Sequence, residues 1–361
     1  MSGSTKTKTM AGTAKPRVTA LIDTYNQERF IAEAIESVLA QDFPADDMEV
    51  LVVDDGSTDG TQGIVRRYAG RVRYVRQENS GQASALNTGF AEARGEIVAL
   101  LDGDDIWLPQ KIRRTVETFE QHPEAGLVYH PLEFVVTETG QVTRDQAFPN
   151  VSGEVLSCMT NALRYGDFST SAMAFRRPAV EKLLPIPACL TILADGFLGS
   201  TMAFVAPVAA LPEHLTRYRV HEQNLCTFGV GDPIRQKRRA HCSAAVADEI
   251  QKWVVRAGVD TTRPEVRTYL RRQELVARMV RFTSEPPNRA EFFRYLRDYQ
   301  ETCRPLWTLR YRVFQRCLAA TGFVLGYERF TEMREWYRGS RASVRLREGA
   351  FPVRAQEAAL P

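Results

Sequence analysis

The sequence predicts an α/β fold: a mostly parallel, Rossmann-like sheet with flanking helices, followed by a C-terminal helical annex. Two observations carry this. From Val18 onward short apolar runs alternate with amphipathic segments, the signature of successive strand–helix–strand units. From Pro233 onward the texture changes to long, arginine-rich amphipathic helices. With 361 residues, 44% of them hydrophobic, the chain can bury a sizeable core.

Taken in order, VTALID is the first strand. Residues 29–41 place Phe30, Ile31, Ala34, Ile35, Val38 and Leu39 at helical spacing, and a turn at Pro44 leads into the second strand, EVLVVD. The run DDGSTDGT supplies turn and capping residues before a helix over 61–69. VRYVRQ reads as the third strand, 82–93 as a helix closed by Gly95, and EIVALLD as the fourth strand. A helix over 109–122 and strands LVYH and EFVVT flank an irregular middle, whose informative blocks are FSTSAMAF, LADGFLGSTMAF and LTRYRVHEQN. Helices are expected over 233–257, 264–283, 289–302 and 306–318, with no internal repeat. The expected division is a disordered tail (1–16), a main domain (17–232), a helical region (233–345) and a flexible tail (346–361).

Composition excludes several classes. Forty-seven basic against 44 acidic side chains leave a net charge of +3, which gives no argument for nucleic acid. The six cysteines (Cys158, Cys189, Cys226, Cys242, Cys303 and Cys317) are scattered with no CxxC pair, so a zinc ribbon or disulfide framework is not expected and a reducing cytoplasm is. The polar first sixteen residues have no apolar core of a signal peptide. No apolar stretch approaches the ~20 residues of a membrane-spanning helix.

Chemistry concentrates at Asp102, Gly103, Asp104 and Asp105, directly after the apolar run Ile97 to Leu101. Three carboxylates within four residues repel one another and resist desolvation, so they call for a cation. In an open α/β sheet ligands bind beyond the carboxyl ends of the strands, which is where this strand delivers its acids. A hard divalent ion holding a diphosphate is the natural partner. Asp23, Tyr25, Asp54 and Asp55 end the first two strands on the same rim. Asp54 is open between a structural hydrogen bond and a ligand contact. In QENSGQASALNTGF, small residues let a helix pack close to that rim.

The blocks TYNQERFIAEAIESVLAQ, EVLVVDDGSTDGT, QENSGQASALNTGFAEARGEIVALLDGDD, ADG and YRVHEQN, in this order over 17–225, resemble the family 2 glycosyltransferases of the GT-A fold. The resemblance implies that Asp23, Tyr25, Asp55, Asn87 and Asp104 contact the nucleotide. Asp55 would accept a hydrogen bond from a uracil-like ring nitrogen, and Asp104 would meet the ribose. It implies that Asp105 ligates Mn²⁺ or Mg²⁺, that His221 completes the metal or diphosphate site, and that Asp195 is the catalytic base. Arg219 and Asn224 would assist the phosphates. Two positions depart from the family pattern: Leu86 stands where many relatives carry arginine, and Ala194 where they carry glutamate.

The implied function is metal-dependent, inverting transfer of a sugar from a nucleotide-sugar to a hydroxyl of a glycan or lipid-linked acceptor in cell-surface polysaccharide synthesis. UDP is favoured because an aspartate on the base edge suits uracil. A non-catalytic nucleotide-sugar binding module is the rival reading, and it would dispense with Asp195. Residues 304–348 interleave arginines with Trp307, Tyr311, Phe314, Phe323, Tyr327, Phe330, Trp336 and Tyr337. They read either as a peripheral contact with the inner face of the membrane or as an annex packed on the main domain.

Overall fold

The computed structural model describes residues 15–306 except 146, 147, 149, 167, 223 and 225–232, and beyond 306 only positions 316, 320, 324, 326 and 327. The expected tails at 1–16 and 346–361 and most of the aromatic block 304–348 therefore lie outside the described residues, apart from 15, 16 and the positions just named.

In chain order β1 (Val18–Thr24), α1 (Ile31–Leu39), β2 (Met48–Asp54), α2 (Thr61–Val65), β3 (Arg73–Arg76), α3 (Gln82–Glu92) and β4 (Ile97–Asp102) alternate as expected. Then follow β5 (Ile106–Trp107), α4 (Lys111–Gln121), β6 (Leu127–Tyr129), β7 (Glu133–Val136), β8 (Val142–Arg144) and α5 (Met159–Arg164). The middle closes with β9 (Met173–Arg176), α6 (Arg177–Val180), α7 (Ala194–Met202), β10 (Val208–Ala210) and β11 (Thr216–Val220). Three long helices end the described chain: α8 (Pro233–Arg256), α9 (Pro264–Ser284) and α10 (Arg289–Cys303).

Seven strands form the main sheet in the order β10-β6-β9-β4-β1-β2-β3. Strands β4, β1, β2 and β3 are mutually parallel, as are β10 and β6. Strand β9 runs antiparallel to both of its neighbours, β4 and β6. Both faces of the sheet are covered, which is why its central strands are continuous apolar runs. In β1, Val18, Ala20 and Ile22 face the cluster under α1 and α4, while Leu21 joins the opposite cluster with Leu86, Leu100 and Phe197. A smaller sheet, ordered β5-β11-β7-β8, sits over the end of the main one.

Helix α2 is shorter than the expected 61–69, because the chain tightens after Val65 into a 3₁₀ turn over Arg66–Tyr68. The C-terminal helices extend the main core. Val246, Ile250 and Val254 of α8 and Val266, Tyr269 and Leu270 of α9 belong to the same apolar cluster as Leu21 and Leu100. The Tyr269 hydroxyl donates to the Ser200 carbonyl at 2.9 Å, so even the polar tip of this buried ring has a partner. Of the C-terminal aromatics, Tyr327 packs edge-on against Phe282 and Phe292. No helix among the described residues is long and apolar enough to cross a membrane.

Candidate active site

Parallel pairing in register ends β1, β2 and β4 together, so each delivers an acid to one rim. Thr24 stands opposite Asp54, and Asp23 opposite Asp102. The acidic turn after β4 folds back on β1 at Gly103, where a Cβ would lie 2.6 Å from Thr24 Oγ1. Only glycine allows that approach. Asp102, Asp104 and Asp105 present carboxylate oxygens within 4.8 Å of one another.

These acids are electrostatically uncomfortable. Asp23 has a buried Oδ1 with no hydrogen-bond partner among the described residues. Burial first, and then the Asp104 charge, pushes its pKa up to about 7. Asp102 is held well above the ordinary carboxylate range by burial, followed by Asp23 and Asp105. The charge of Asp195 adds to the shift of both groups, which puts that carboxylate within reach of the same cleft.

Asp105 and Asp104 have different surroundings. Asp105 is fully buried, accepting from Ser171 Oγ at 2.6 Å and from the Arg219 backbone N–H at 2.9 Å. Burial raises its pKa well above normal, with Asp104 next and those two hydrogen bonds opposing. The Asp104 Oδ2 faces His221 Nε2 at 3.1 Å and accepts from Gln27 Nε2 at 3.3 Å. Asn224 fixes the histidine by accepting from its backbone N–H at 2.6 Å. Adjacent Asp and His donor atoms about 3 Å apart suit two ligands of one cation. The geometry therefore brings His221 to Asp104, whereas sequence reasoning paired it with Asp105.

Sequence reasoning missed Ser171. Because β9 enters antiparallel beside β4, the residues just before β9 reach the acidic rim. The Ser171 hydroxyl accepts from the Asp102 backbone N–H at 3.0 Å and donates to Asp105. Its carbonyl accepts from Thr216 Oγ1 at 2.9 Å, Trp107 Nε1 at 3.2 Å and the buried Lys111 Nζ at 3.4 Å. Lys111 in turn lies 2.6 Å from His130 Nε2, and burial pulls its pKa down to about 7. Ser171 thus ties the acidic turn to β5, β11 and α4. The only signal in the sequence was a small polar block, FSTS, ahead of a strand.

At the end of β2 the two acids have settled partners. Asp54 is fully buried, accepting from the Ser57 N–H at 2.7 Å and from the Tyr74 hydroxyl, which makes it structural. Asp55 accepts from Gln77 Nε2 at 2.7 Å, the Ser80 N–H at 2.9 Å and the Gly81 N–H at 2.7 Å, pinning the turn before α3. Gly81 needs no side chain there, since a Cβ would meet Thr191 Cα at 2.7 Å. Asn87 uses its amide on the Ile186 backbone, donating at 2.9 Å and accepting at 2.7 Å. Tyr25 projects from the rim, 44% exposed.

Asp195 begins α7 behind Leu193, which adopts the left-handed conformation at φ 63°. A bulky residue holds that conformation only where its surroundings enforce it. Gln82 is one such restraint, accepting from the Ala194 N–H and donating to Thr170 Oγ1, both at 3.1 Å. Asp195 itself accepts from the Gly196 N–H at 2.7 Å and the Thr170 N–H at 3.2 Å, and burial raises its pKa.

Residues 19–184 match the family described as Glycosyl transferase family 2. A protein of Nostoc sp. (strain PCC 7120), described as an uncharacterized glycosyltransferase, is 34% identical over 263 residues, covering 70% of this chain and 76% of the relative. A Mycobacterium tuberculosis (strain H37Rv) protein is 33% identical over 210 residues, and the match spans 58% of that relative's length. Among solved structures, Staphylococcus aureus TarS 1–349 in complex with UDP-GlcNAc superposes with a TM-score of 0.62 at 18% identity, over 86% of this chain and 92% of that one. The mannosyltransferase PcManGT of Pyrobaculum calidifontis, in complex with GDP-Man and Mn²⁺, gives 0.53 at 22% identity over 90% and 83%. The two structures share the fold, and the sequence relatives carry the family assignment: the chain belongs to glycosyltransferase family 2 and is a glycosyltransferase.

Proposed function

We propose that the protein moves a sugar from a nucleotide-sugar, with UDP favoured, to a glycan or lipid-linked hydroxyl, by a metal-dependent, inverting mechanism. The observation that carries this reading is the gathering of under-neutralised acids on one rim: an orphaned Asp23 oxygen beside an Asp104–His221 pair 3.1 Å apart. Such a donor set fits a hard divalent ion, Mn²⁺ or Mg²⁺. Asp104 and His221 would hold it, with Asp105 anchoring the turn from behind. When bound, the ion supplies charge neutralisation for the departing diphosphate. Support for that pairing comes from the GT-A neighbour PcManGT, whose complex contains Mn²⁺ with GDP-Man.

The chain's own residues supply the rest. Tyr25 offers an exposed ring for the base, and Asp55, held rigid by three donors, offers its remaining lone pairs to a uracil N–H. The orphaned Asp23 oxygen accepts from a ribose hydroxyl. Asn87 joins α3 to the Ile186 backbone through one amide hydrogen and its oxygen, which supports a positioning role beside the nucleotide contact that the resemblance implies. Asp195 takes the proton of the acceptor hydroxyl as that oxygen bonds the anomeric carbon. The bond to the diphosphate breaks on the opposite face, which inverts the configuration. A buried carboxylate with a raised pKa is a stronger base than a solvated one. We place the acceptor in cell-surface polysaccharide synthesis on the cytoplasmic side; for the C-terminal region, peripheral membrane contact and a packed annex remain the two readings, and the packing of Tyr327 on Phe282 and Phe292 supports the annex.

The test is Asp195→Asn. Transfer should fall by about a thousandfold while UDP-sugar binding, read by calorimetry with Mn²⁺, stays within a factor of about two. Transfer at the wild-type rate removes Asp195 from the mechanism, and a wild-type protein that binds donor without transferring any sugar favours the binding-module reading.

A further inference from the structure

A cavity of about 500 Å³ opens between the start of α1 and the small sheet, and none of Asp23, Tyr25, Asp55, Asp104, Asp195 or His221 lines it. Arg219, which the family resemblance gives to the donor phosphates, lines it too, so the cavity adjoins the candidate donor site. Three arginines converge on it: Arg29 from the chain before α1, and Arg217 and Arg219 from β11. The Arg29 and Arg219 guanidiniums each lie 5.1 Å from the centre of the same Phe30 ring. The Arg29 charge acts on Arg219, and an anion in the cavity relieves that repulsion.

Neutralisation inside the protein is incomplete. Arg219 pairs with Glu33 at 3.1 Å, and Arg217 shares Glu133 with Arg144, at 3.3 and 3.0 Å. Three guanidiniums and one carboxylate, Glu33, line the cavity; Glu133 offsets Arg217, and Asp104 and Asp105 also act on Arg219, so Arg29 is the charge left without an ion-pair partner among the described residues. Ile106, Val135 and a Val142 that is 51% exposed give the remaining wall its apolar part, beside Thr137 and Gly140.

We propose that this cavity binds the phosphate of a small amphiphile, an alkyl or isoprenoid phosphate, with the head on Arg29 and Arg217 and the chain along Val135 and Val142. A phosphate complements the cluster of Arg29, Arg217 and Arg219 on this wall, and its oxygens match the guanidinium fork. The volume lies within the range of small-ligand pockets. The opposite face of the site is close to the chemistry, because the Phe30 ring packs on His221 at 4.5 Å between centroids. The inference does not depend on the donor reading, and its test is separate.

The probe is decyl phosphate below its micellar concentration, titrated into the full-length protein by calorimetry, with inorganic phosphate, decanol and anionic vesicles as comparators. Saturable one-site binding of decyl phosphate is expected, about tenfold or more tighter than either inorganic phosphate or decanol. Arg29→Glu, an exposed and unpaired position, should weaken it about tenfold while leaving UDP affinity unchanged. Val142→Asp should weaken decyl phosphate but not inorganic phosphate. Absence of saturable binding, or an Arg29→Glu protein with wild-type affinity, overturns the proposal. Equal affinity for inorganic phosphate overturns the amphiphile and leaves an anion pocket, and binding to vesicles alone replaces it with a membrane surface.

Discussion

Two strand ends of the same sheet carry adjacent acids, and they have opposite fates. At the end of β2, Asp54 and Asp55 are buried and well bonded: five hydrogen bonds from Ser57, Tyr74, Gln77, Ser80 and Gly81 converge on them, and Asp55 keeps acceptor capacity beyond its three donors. At the end of β4 and the neighbouring β1, Asp23, Asp102 and Asp105 all have raised proton affinity, from burial first and then from a neighbouring charge, Asp104 for Asp23 and Asp105 and Asp23 for Asp102; among the described residues Asp23 keeps an oxygen with no partner. Asp54, bonded on both oxygens, is part of the architecture, and Asp55 is an acid held rigid by its donors. An under-neutralised carboxylate is folded against its own electrostatics and is poised for a ligand.

Thermal and chemical unfolding should separate the two ends. Asp54→Ala strands the Ser57 N–H and the Tyr74 hydroxyl, so it should cost about 3 kcal/mol in urea unfolding with no specific effect on metal. Asp104→Asn removes a charge from a crowded rim. It should leave the metal-free protein at least as stable as wild type and abolish the Tm increase that Mn²⁺ gives the wild type. A large loss of metal-free stability in Asp104→Asn would erase the distinction drawn between the ends.

The architecture of the first hundred residues was legible because each strand is a continuous apolar run with helical spacing between. The acids of the rim were legible too, since strand ends in such a sheet fix where they go. What could not be read was which acid faces what. Asp104 and Asp105 are neighbours in sequence. Their environments are decided by Ser171, Arg219 and His221, 66 or more positions away and positioned by a strand of four residues, β9, and one of five, β11. Strands that short carry little periodic signal. The contact of Asn87 was hidden similarly, because it is with the backbone of Ile186, and a backbone partner leaves no trace in side-chain pattern.

The contrast has a pH signature of a few kcal/mol at most. Asp23 moves from an ordinary 3.8 to about 7 on folding, so between those values the folded state holds a proton that the unfolded state has released. Stability from this group is therefore present below about pH 4 and lost as pH rises through about 7. Asp23→Asn lacks that loss. The Tm difference, variant minus wild type without metal, should grow as pH is raised from about 4 to about 7, and saturating Mn²⁺ should shrink it. A difference independent of pH would mean that Asp23 already has a partner in solution.

The smallest effect tests how the two ligand-bearing segments are joined. Asp104 sits next to Asp105, and His221 lies two residues beyond Arg219. The Asp105 carboxylate bridges the two segments by bonding the Arg219 N–H, while Ser171 holds its other oxygen. Ser171→Ala removes one hydroxyl from a fully buried site, leaving the Asp102 N–H without its acceptor and Asp105 with a single donor. The Asp104–His221 spacing then loosens. Mn²⁺ affinity, measured by electron paramagnetic resonance of the free ion, should fall about tenfold, while metal-free UDP binding should hold. Ser171→Thr, which keeps the hydroxyl, should recover most of the affinity. If alanine and threonine weaken metal equally, the loss comes from packing around β9 rather than from the hydroxyl, and Ser171 is a core residue that happens to lie beneath the site.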